Sequence, residues 1–293
     1  MQKEYVERLF LPKMEFYREV YKNSPRWDGL SDLEGKDVIV YCEQGYGDII
    51  HFARYLTPLK SLGCRIHLHC PEPLHALLLQ HVKGIDSVFD KEETNLPHHD
   101  VHTLSMSLPF LLGIVDVPVP YIKINEKMDL SGEEKPGSFK IGIAWEGNPD
   151  HSNNDERSAP LGVFRQIHNI PEVSLYTIQQ TLHNAKLVEG CEDMTIYGAA
   201  LPDFRATATL INSMDLIVSV DTSVLHLAGA MGKNTIGLLG KNRDPRWDSG
   251  VKWYPSVTLM EQDRPGNWAS IAAQMTFYVR MEVTRWITRQ LQS

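Results

Sequence analysis

The sequence predicts an α/β protein made of two doubly wound, Rossmann-like halves with a cleft between them. Three observations carry this. Short apolar runs alternate with helical patterns at the spacing of βαβ units. The alternation stops in a polar stretch at 126–139 and then restarts. The strand-like runs of the second half are almost continuously apolar, as parallel strands covered on both faces must be. The chain has 293 residues; at ~150 residues per domain it is long enough for two cores. The expected domains are 1–130 and 138–267, with the helix 268–293 packing back on the first.

The elements follow in order. Residues 1–22 carry apolar positions (Val6, Leu9, Phe10, Phe16, Tyr17, Val20, Tyr21) at helical spacing, interrupted near Pro12. Asp37–Cys42 is the first strong strand, followed by the loop Glu43–Asp48 and a helix through Leu59. Arg65–Cys70 is a strand and Pro71–His81 a helix; Ser87–Phe89 and Val101–Leu104 are two short strands. Glu133–Ser138 is polar and ends in chain breakers. Beyond it, Lys140–Trp145, Val173–Ile178, Leu216–Val220 and Thr235–Leu239 read as strands, and Trp268–Leu291 as a closing helix.

Composition excludes several classes. Hydrophobic residues make up 42% and charged residues 23%, too apolar for a disordered chain. A formal net charge of −8 argues against non-specific binding to nucleic acid or anionic membrane. No apolar run approaches the ~20 residues of a membrane span, and Met1–Phe10 carries too many charges for a secretory signal. A cytoplasmic location is expected. Cys42, Cys64, Cys70 and Cys191 form no C-x-x-C pair and read as buried thiols.

Three stretches carry the chemistry. The first is Gln44-Gly45-Tyr46-Gly47-Asp48-Ile49-Ile50-His51, at the carboxyl end of a strand, where doubly wound sheets bind ligands. A dinucleotide fingerprint needs a third glycine, and Ile50 stands there. Equally, Gly45 and Gly47 serve a tight turn and Asp48 caps a helix. The second is Asp221-Thr222-Ser223, where an apolar strand meets a helix that carries His226. Free amides at a helix N-terminus with two hydroxyls beside them suit a phosphate or diphosphate. An ordinary N-cap with a packed histidine explains the same residues. The third runs from Trp145 to Ser158 and holds Asn148 and the cation Arg157; it reads equally well as a surface loop.

Taken together, Gly47-Asp48-Ile49-Ile50-His51 and Asp221-Thr222-Ser223-x-x-His226-Leu227-Ala228 resemble the heptosyltransferase-like family of glycosyltransferases, whose fold is GT-B. The branch often found behind tetratricopeptide repeats is the nearer likeness, through Tyr41–Asp48, Phe52–Leu56, Trp145–Pro149, Arg157-Ser158 and Trp253–Ser256. The resemblance implies two facing Rossmann-like domains and an inverting, metal-independent transfer from a nucleotide-diphosphate sugar, with no cofactor. Asp48 is then the general base. Asp221, Thr222, Ser223 and His226 hold the donor, with Asn148, Arg157 and Gln179 added on the same side; Gln44, Gly45, Gly47 and His51 form the cleft loop. The acceptor hydroxyl belongs to a lipopolysaccharide or other glycan, a protein, or a modified DNA base.

The bare chemistry is compatible. An oxocarbenium-like transition state needs a base and neutralisation of the departing diphosphate, which a helix N-terminus supplies without a cation. No Asp-x-Asp pair suits a metal-bound diphosphate. His98-His99-Asp100-x-His102 is a candidate metal cluster, but a strand there divides its imidazoles between two faces. No G-x-S-x-G elbow is present. Lys241–Trp247 and Lys252–Tyr254 interleave basic and aromatic residues, read as a rim for sugar rings or bases. The alternative function is a non-catalytic nucleotide-sugar-binding module of the same fold.

Overall fold

The computed structural model describes residues 24–130, 137–150, 153–179, 195–196 and 201–292. The expected helix 1–22, Cys191 and most of Glu133–Ser138 lie outside them. The chain divides into two compact units between Lys123 and Ile124, a few residues before the polar stretch expected to separate them.

The first unit is a four-stranded parallel sheet of β1 (Asp37–Tyr41), β2 (Arg65–Cys70), β3 (Ser87–Asp90) and β4 (Val101–Leu104). Its order is β3-β2-β1-β4. Val38, Ile39 and Val40 are fully buried in the central strand, and Ile66 and Leu68 continue the core in β2. The crossovers use α1 (Tyr46–Phe52), α2 (Leu56–Lys60) and α3 (His75–His81), with α4 (Leu108–Leu111) after β4.

The second unit is a six-stranded parallel sheet. It contains β5 (Phe139–Ala144), β6 (Val173–Thr177), β7 (Thr195–Ile196), β8 (Leu216–Val220), β9 (Thr235–Leu239) and β10 (Val257–Glu261). Its order is β10-β9-β8-β5-β6-β7. Every residue of β8 and β9 is buried, which is why these strands read as unbroken apolar runs. Its helices are α5 (Asn154–Arg157), α6 (Arg165–His168), α7 (Phe204–Ser213), α8 (Ser223–Ala230) and α9 (Trp268–Gln292).

The two sheets share one plan. In each, the chain begins at an inner strand, builds outward to one side, then crosses back and builds on the other. The reversal falls between β1 and β4 in the first unit and between β5 and β8 in the second. Loops leaving the carboxyl ends of strands at such a switch point diverge, and the space they leave is where doubly wound folds bind ligands. The sequence elements singled out above sit there: Gln44–Asp48 follows β1, Trp145–Ser158 follows β5, and Asp221–Ser223 follows β8.

The closing helix α9 contributes to the second unit: Ile271, Met275, Val279 and Val283, one residue per turn, join Ile141, Val218 and Ile236 in its core. A four-residue apolar stripe predicts a helix that packs, but says nothing of which core receives it.

Candidate functional site

In the second unit, Val220 ends β8 and the chain turns through Asp221 and Thr222 into α8. Thr222 takes the N-cap position in extended conformation, but its side chain does not cap the helix. Its hydroxyl instead meets Ser219 Oγ at 3.2 Å. The first amides of a helix have no intrahelical acceptor, and with the aligned peptide dipoles they favour an anion. Seven of the eight α8 residues are buried, from Val224 to Ala230, so this N-terminus is held by packing rather than by propensity.

His226, one turn into α8, is only 4% exposed. Tyr254 Oη and His226 Nδ1 share a hydrogen bond of 2.9 Å. Trp247 stacks on the imidazole with centroids 5.5 Å apart and planes at 18°, and its Nε1–H donates to Asp221 Oδ2 at 2.9 Å. Asp221 Oδ1 lies 3.7 Å from His226 Nε2. Asp221, His226, Trp247 and Tyr254 therefore form one linked group. When the phenol donates, the imidazole proton sits on Nε2 and is turned toward Asp221. Burial pushes the Asp221 carboxyl above the ordinary carboxylate value; the Trp247 N–H opposes that shift, as does the positive charge of Arg246 and Arg157.

Gly229 explains how Tyr254 gets so close. A Cβ there would stand 2.5 Å from the Tyr254 ring, so only glycine lets the phenol lie across α8. Likewise a Cβ at Gly147 would overlap the Arg157 guanidinium, and one at Gly240 would come within 2.6 Å of the Glu156 carbonyl. These two glycines bring the end of α5 against the loops after β5 and β9. Arg157 is thus seated close enough to act on Asp221, though 64 residues separate them in sequence.

The loop after β5 is ordered by its own polar residues. Ser158 Oγ accepts from the Gly147 amide at 3.1 Å and donates to Asn154 Oδ1 at 3.1 Å. Asn148 is exposed and its Oδ1 accepts from the Asp150 amide at 3.1 Å. Gln179 is buried, and its amide group pairs with both backbone groups of Glu146 at 3.2 and 2.9 Å. Of the donor-side residues, Asp221, Thr222, Ser223, His226 and Arg157 are gathered at the β5/β8 switch point. Gln179 supports the loop there, and Asn148 shapes its turn.

In the first unit, Gln44 stands at φ 66°, a left-handed conformation that costs a non-glycine residue ~1–2 kcal/mol. Gly45 precedes α1 and its amide donates to Asp48 Oδ2 at 3.3 Å, so the carboxylate closes the turn while staying partly exposed. Gly47 lies within the first turn of α1. His51 is not an open loop residue: it is 2% exposed, and Arg54 Nε donates to its carbonyl at 2.9 Å. It faces inward because α1 turns that side toward the core.

Trp247 and Tyr254 were read from sequence only as a rim for rings. An indole N–H and a phenol O–H need hydrogen-bond partners when they are withdrawn from water, and that need is the signal that links these two side chains to Asp221 and His226. Among the described residues no group of three His, Cys, Asp or Glu side chains is placed to hold a metal ion. His99 bonds to the Pro97 carbonyl and His102 to Ser24. No described helix is long and apolar enough to cross a membrane.

Residues 179–270 match the family model "Glycosyltransferase family 9 (heptosyltransferase)". This segment contains Asp221, His226, Trp247 and Tyr254. No curated protein matches the chain. Among solved structures, the chain is similar to the Escherichia coli ADP-heptose lipopolysaccharide heptosyltransferase II, at 12% identity and TM-score 0.58, covering 84% of this chain and 99% of that one. It is also similar to a family 9 glycosyl transferase from Veillonella parvula, at 12% identity and TM-score 0.63, covering 88% and 100%. A third is the iron-containing dodecameric glycosyltransferase TibC from enterotoxigenic E. coli, at 12% identity and TM-score 0.59, covering 81% and 66%. The chain has the GT-B fold of these glycosyltransferases.

Proposed function

We propose that the protein is an inverting, metal-independent glycosyltransferase that moves a sugar from a nucleotide-diphosphate donor to an acceptor hydroxyl. The observation that carries the reading is the uncapped N-terminus of α8 at the β5/β8 switch point, beside the Asp221–His226–Trp247–Tyr254 group. A diphosphate there accepts the free amides and gains from the helix dipole as negative charge develops on the leaving group. Arg157 adds a fixed positive charge. Asp221 and His226 hold hydroxyls of the donor sugar, and Asp48 takes the acceptor proton.

The coarse reading is supported by the family 9 match and by neighbours that act on ADP-heptose. An adenine nucleotide is therefore the first donor to test. The likeness to the branch found behind tetratricopeptide repeats belongs to the same proposal, as do an acceptor in a glycan, protein or modified DNA base and a cytoplasmic setting. A non-catalytic nucleotide-sugar-binding module is the second reading, favoured by the Gly45–Asp48 bond, which gives the carboxylate a structural task.

The test is thermal stabilisation by a panel of nucleoside diphosphates, their sugars and NAD(P), with and without magnesium or iron. A ligand at 100 times its dissociation constant adds ~2.7 kcal/mol. A magnesium- and iron-independent shift with one nucleoside diphosphate is expected. A shift only with NAD(P), or none at all, overturns the donor site.

A further inference from the structure

A second set of reactive groups lies at the carboxyl end of the first sheet. In the β1–β2 ladder Val38 pairs with Ile66, Val40 with Leu68, and Tyr41 with His69. The Cys42 amide donates to the His69 carbonyl at 2.9 Å, which carries the register one residue further. Cys42 then stands opposite Cys70, on the sheet face shared by Val40 and Leu68. Neighbouring parallel strands are ~4.8 Å apart, and disulfides join Cα atoms ~4.4–6.8 Å apart. The two thiols are in hydrogen-bonding contact. Neither carries a disulfide in this structure.

We propose that Cys42 and Cys70 are a redox-sensitive dithiol, closed to a disulfide by a small peroxide-class oxidant. His75 completes the arrangement. It opens α3 directly above the end of β2, and its Nε2 bonds to the Cys70 carbonyl at 2.8 Å. The hydrogen bond from Cys42 and then His75 draw the Cys70 thiol below its ordinary value, while burial raises Cys42. Cys70 is thus the attacking sulfur and Cys42 the resolving one.

The chemistry balances. The Cys70 thiolate attacks one oxygen of hydrogen peroxide and the O–O bond breaks. Protonated His75 gives its proton to the departing hydroxide, leaving water and a Cys70 sulfenic acid. Cys42 sulfur then attacks Cys70 sulfur, and the sulfenic oxygen leaves as a second water with the Cys42 proton. Two thiols lose two electrons to one peroxide. Cys70 is wholly buried and Cys42 is 5% exposed, so the oxidant must be small; a glutathione-sized disulfide has no approach. Cys42 directly precedes Glu43–Asp48, and the bridge ties the start of that loop to β2.

The test is thiol mapping of the native full chain after hydrogen peroxide, by alkylation under denaturing conditions and peptide mass spectrometry. Of the four cysteines, two are expected to resist alkylation, in one linked peptide pair spanning Cys42 and Cys70, and to return with dithiothreitol. Cys64, whose Sγ donates to the Leu59 carbonyl at 3.4 Å, stays alkylatable as the internal control. In Cys42→Ser, Cys70 halts as a sulfenic acid that dimedone traps; in Cys70→Ser, Cys42 remains a thiol. Alkylation of both Cys42 and Cys70 in the oxidised wild type, or a bridge joining either to another cysteine, overturns the proposal. The wild-type map decides the matter even where a variant does not fold. It needs no donor or acceptor, so it stands or falls apart from the transferase reading.

Discussion

At the scale of residues, Asp48 and the Asp221 group differ in how far their surroundings commit them. Asp48 closes a turn by accepting from the Gly45 amide at 3.3 Å and stays partly exposed at the carboxyl end of β1, where an acceptor hydroxyl would meet it. Asp48→Asn keeps that bond. A general base contributes roughly 10²–10⁴-fold to rate, so kcat with whichever sugar nucleotide serves as donor is expected to fall by that factor with donor affinity unchanged. Wild-type turnover in Asp48→Asn contradicts the assignment. A second residue reports on the fold itself. His102 is buried, with Nδ1 bonded to Ser24 at 2.9 Å, and burial, then the nearby charge of His99, pushes its pKa down to about 4. The unfolded chain binds a proton near pH 6.5 that the folded chain refuses until about pH 4. Stability is therefore full above pH 6.5 and is lost as pH falls toward 4, by on the order of 3 kcal/mol. His102→Asn is expected to flatten that slope in urea titrations; an unchanged slope contradicts it.

At the scale of elements, α8 is the piece on which the site depends, and Gly229 is its least replaceable residue. Gly229→Ala gains ~1 kcal/mol in helix propensity. It also drives a methyl into the Tyr254 ring, an overpacking of ~1–3 kcal/mol. The ring has no retreat, because its hydroxyl is bound to His226. Overpacking wins: a lower urea midpoint is expected together with weakened nucleotide binding, and a stabilised variant with normal binding contradicts the packing. Most such elements were legible in the sequence. β2, β4, β8 and β9 lie where the sequence places them; β8 and β9 are buried at every residue and so read as almost wholly apolar runs with sharp ends. β10 was not legible: it is an edge strand with Thr258, Leu259 and Glu261 outside the core, and its pattern is weak. α7 escaped notice because Thr207 and Thr209 interrupt its apolar face and bond back to its own carbonyls. Asp221 and His226 were legible as a pair, but their partners were not, because 21 positions and a strand separate His226 from Trp247. The inward turn of His51 was hidden for the same reason: burial is a property of the packed unit.

At the scale of the whole molecule, one topology is used twice, and each copy places a loop from the sequence reading at its switch point. The −8 charge offers no general attraction to a nucleotide diphosphate; attraction must be local, and the α8 N-terminus with Arg157 is where it is concentrated. Binding there shields amides that the N-cap side chain of Thr222 leaves uncapped. The most direct measurement is hydrogen–deuterium exchange with and without the nucleoside diphosphate giving the largest thermal shift. The expected result is slowed exchange in the peptide covering residues 221–226, lost in His226→Ala. Unchanged exchange in that peptide at a saturating concentration, with protection elsewhere, contradicts the placement of the diphosphate on α8.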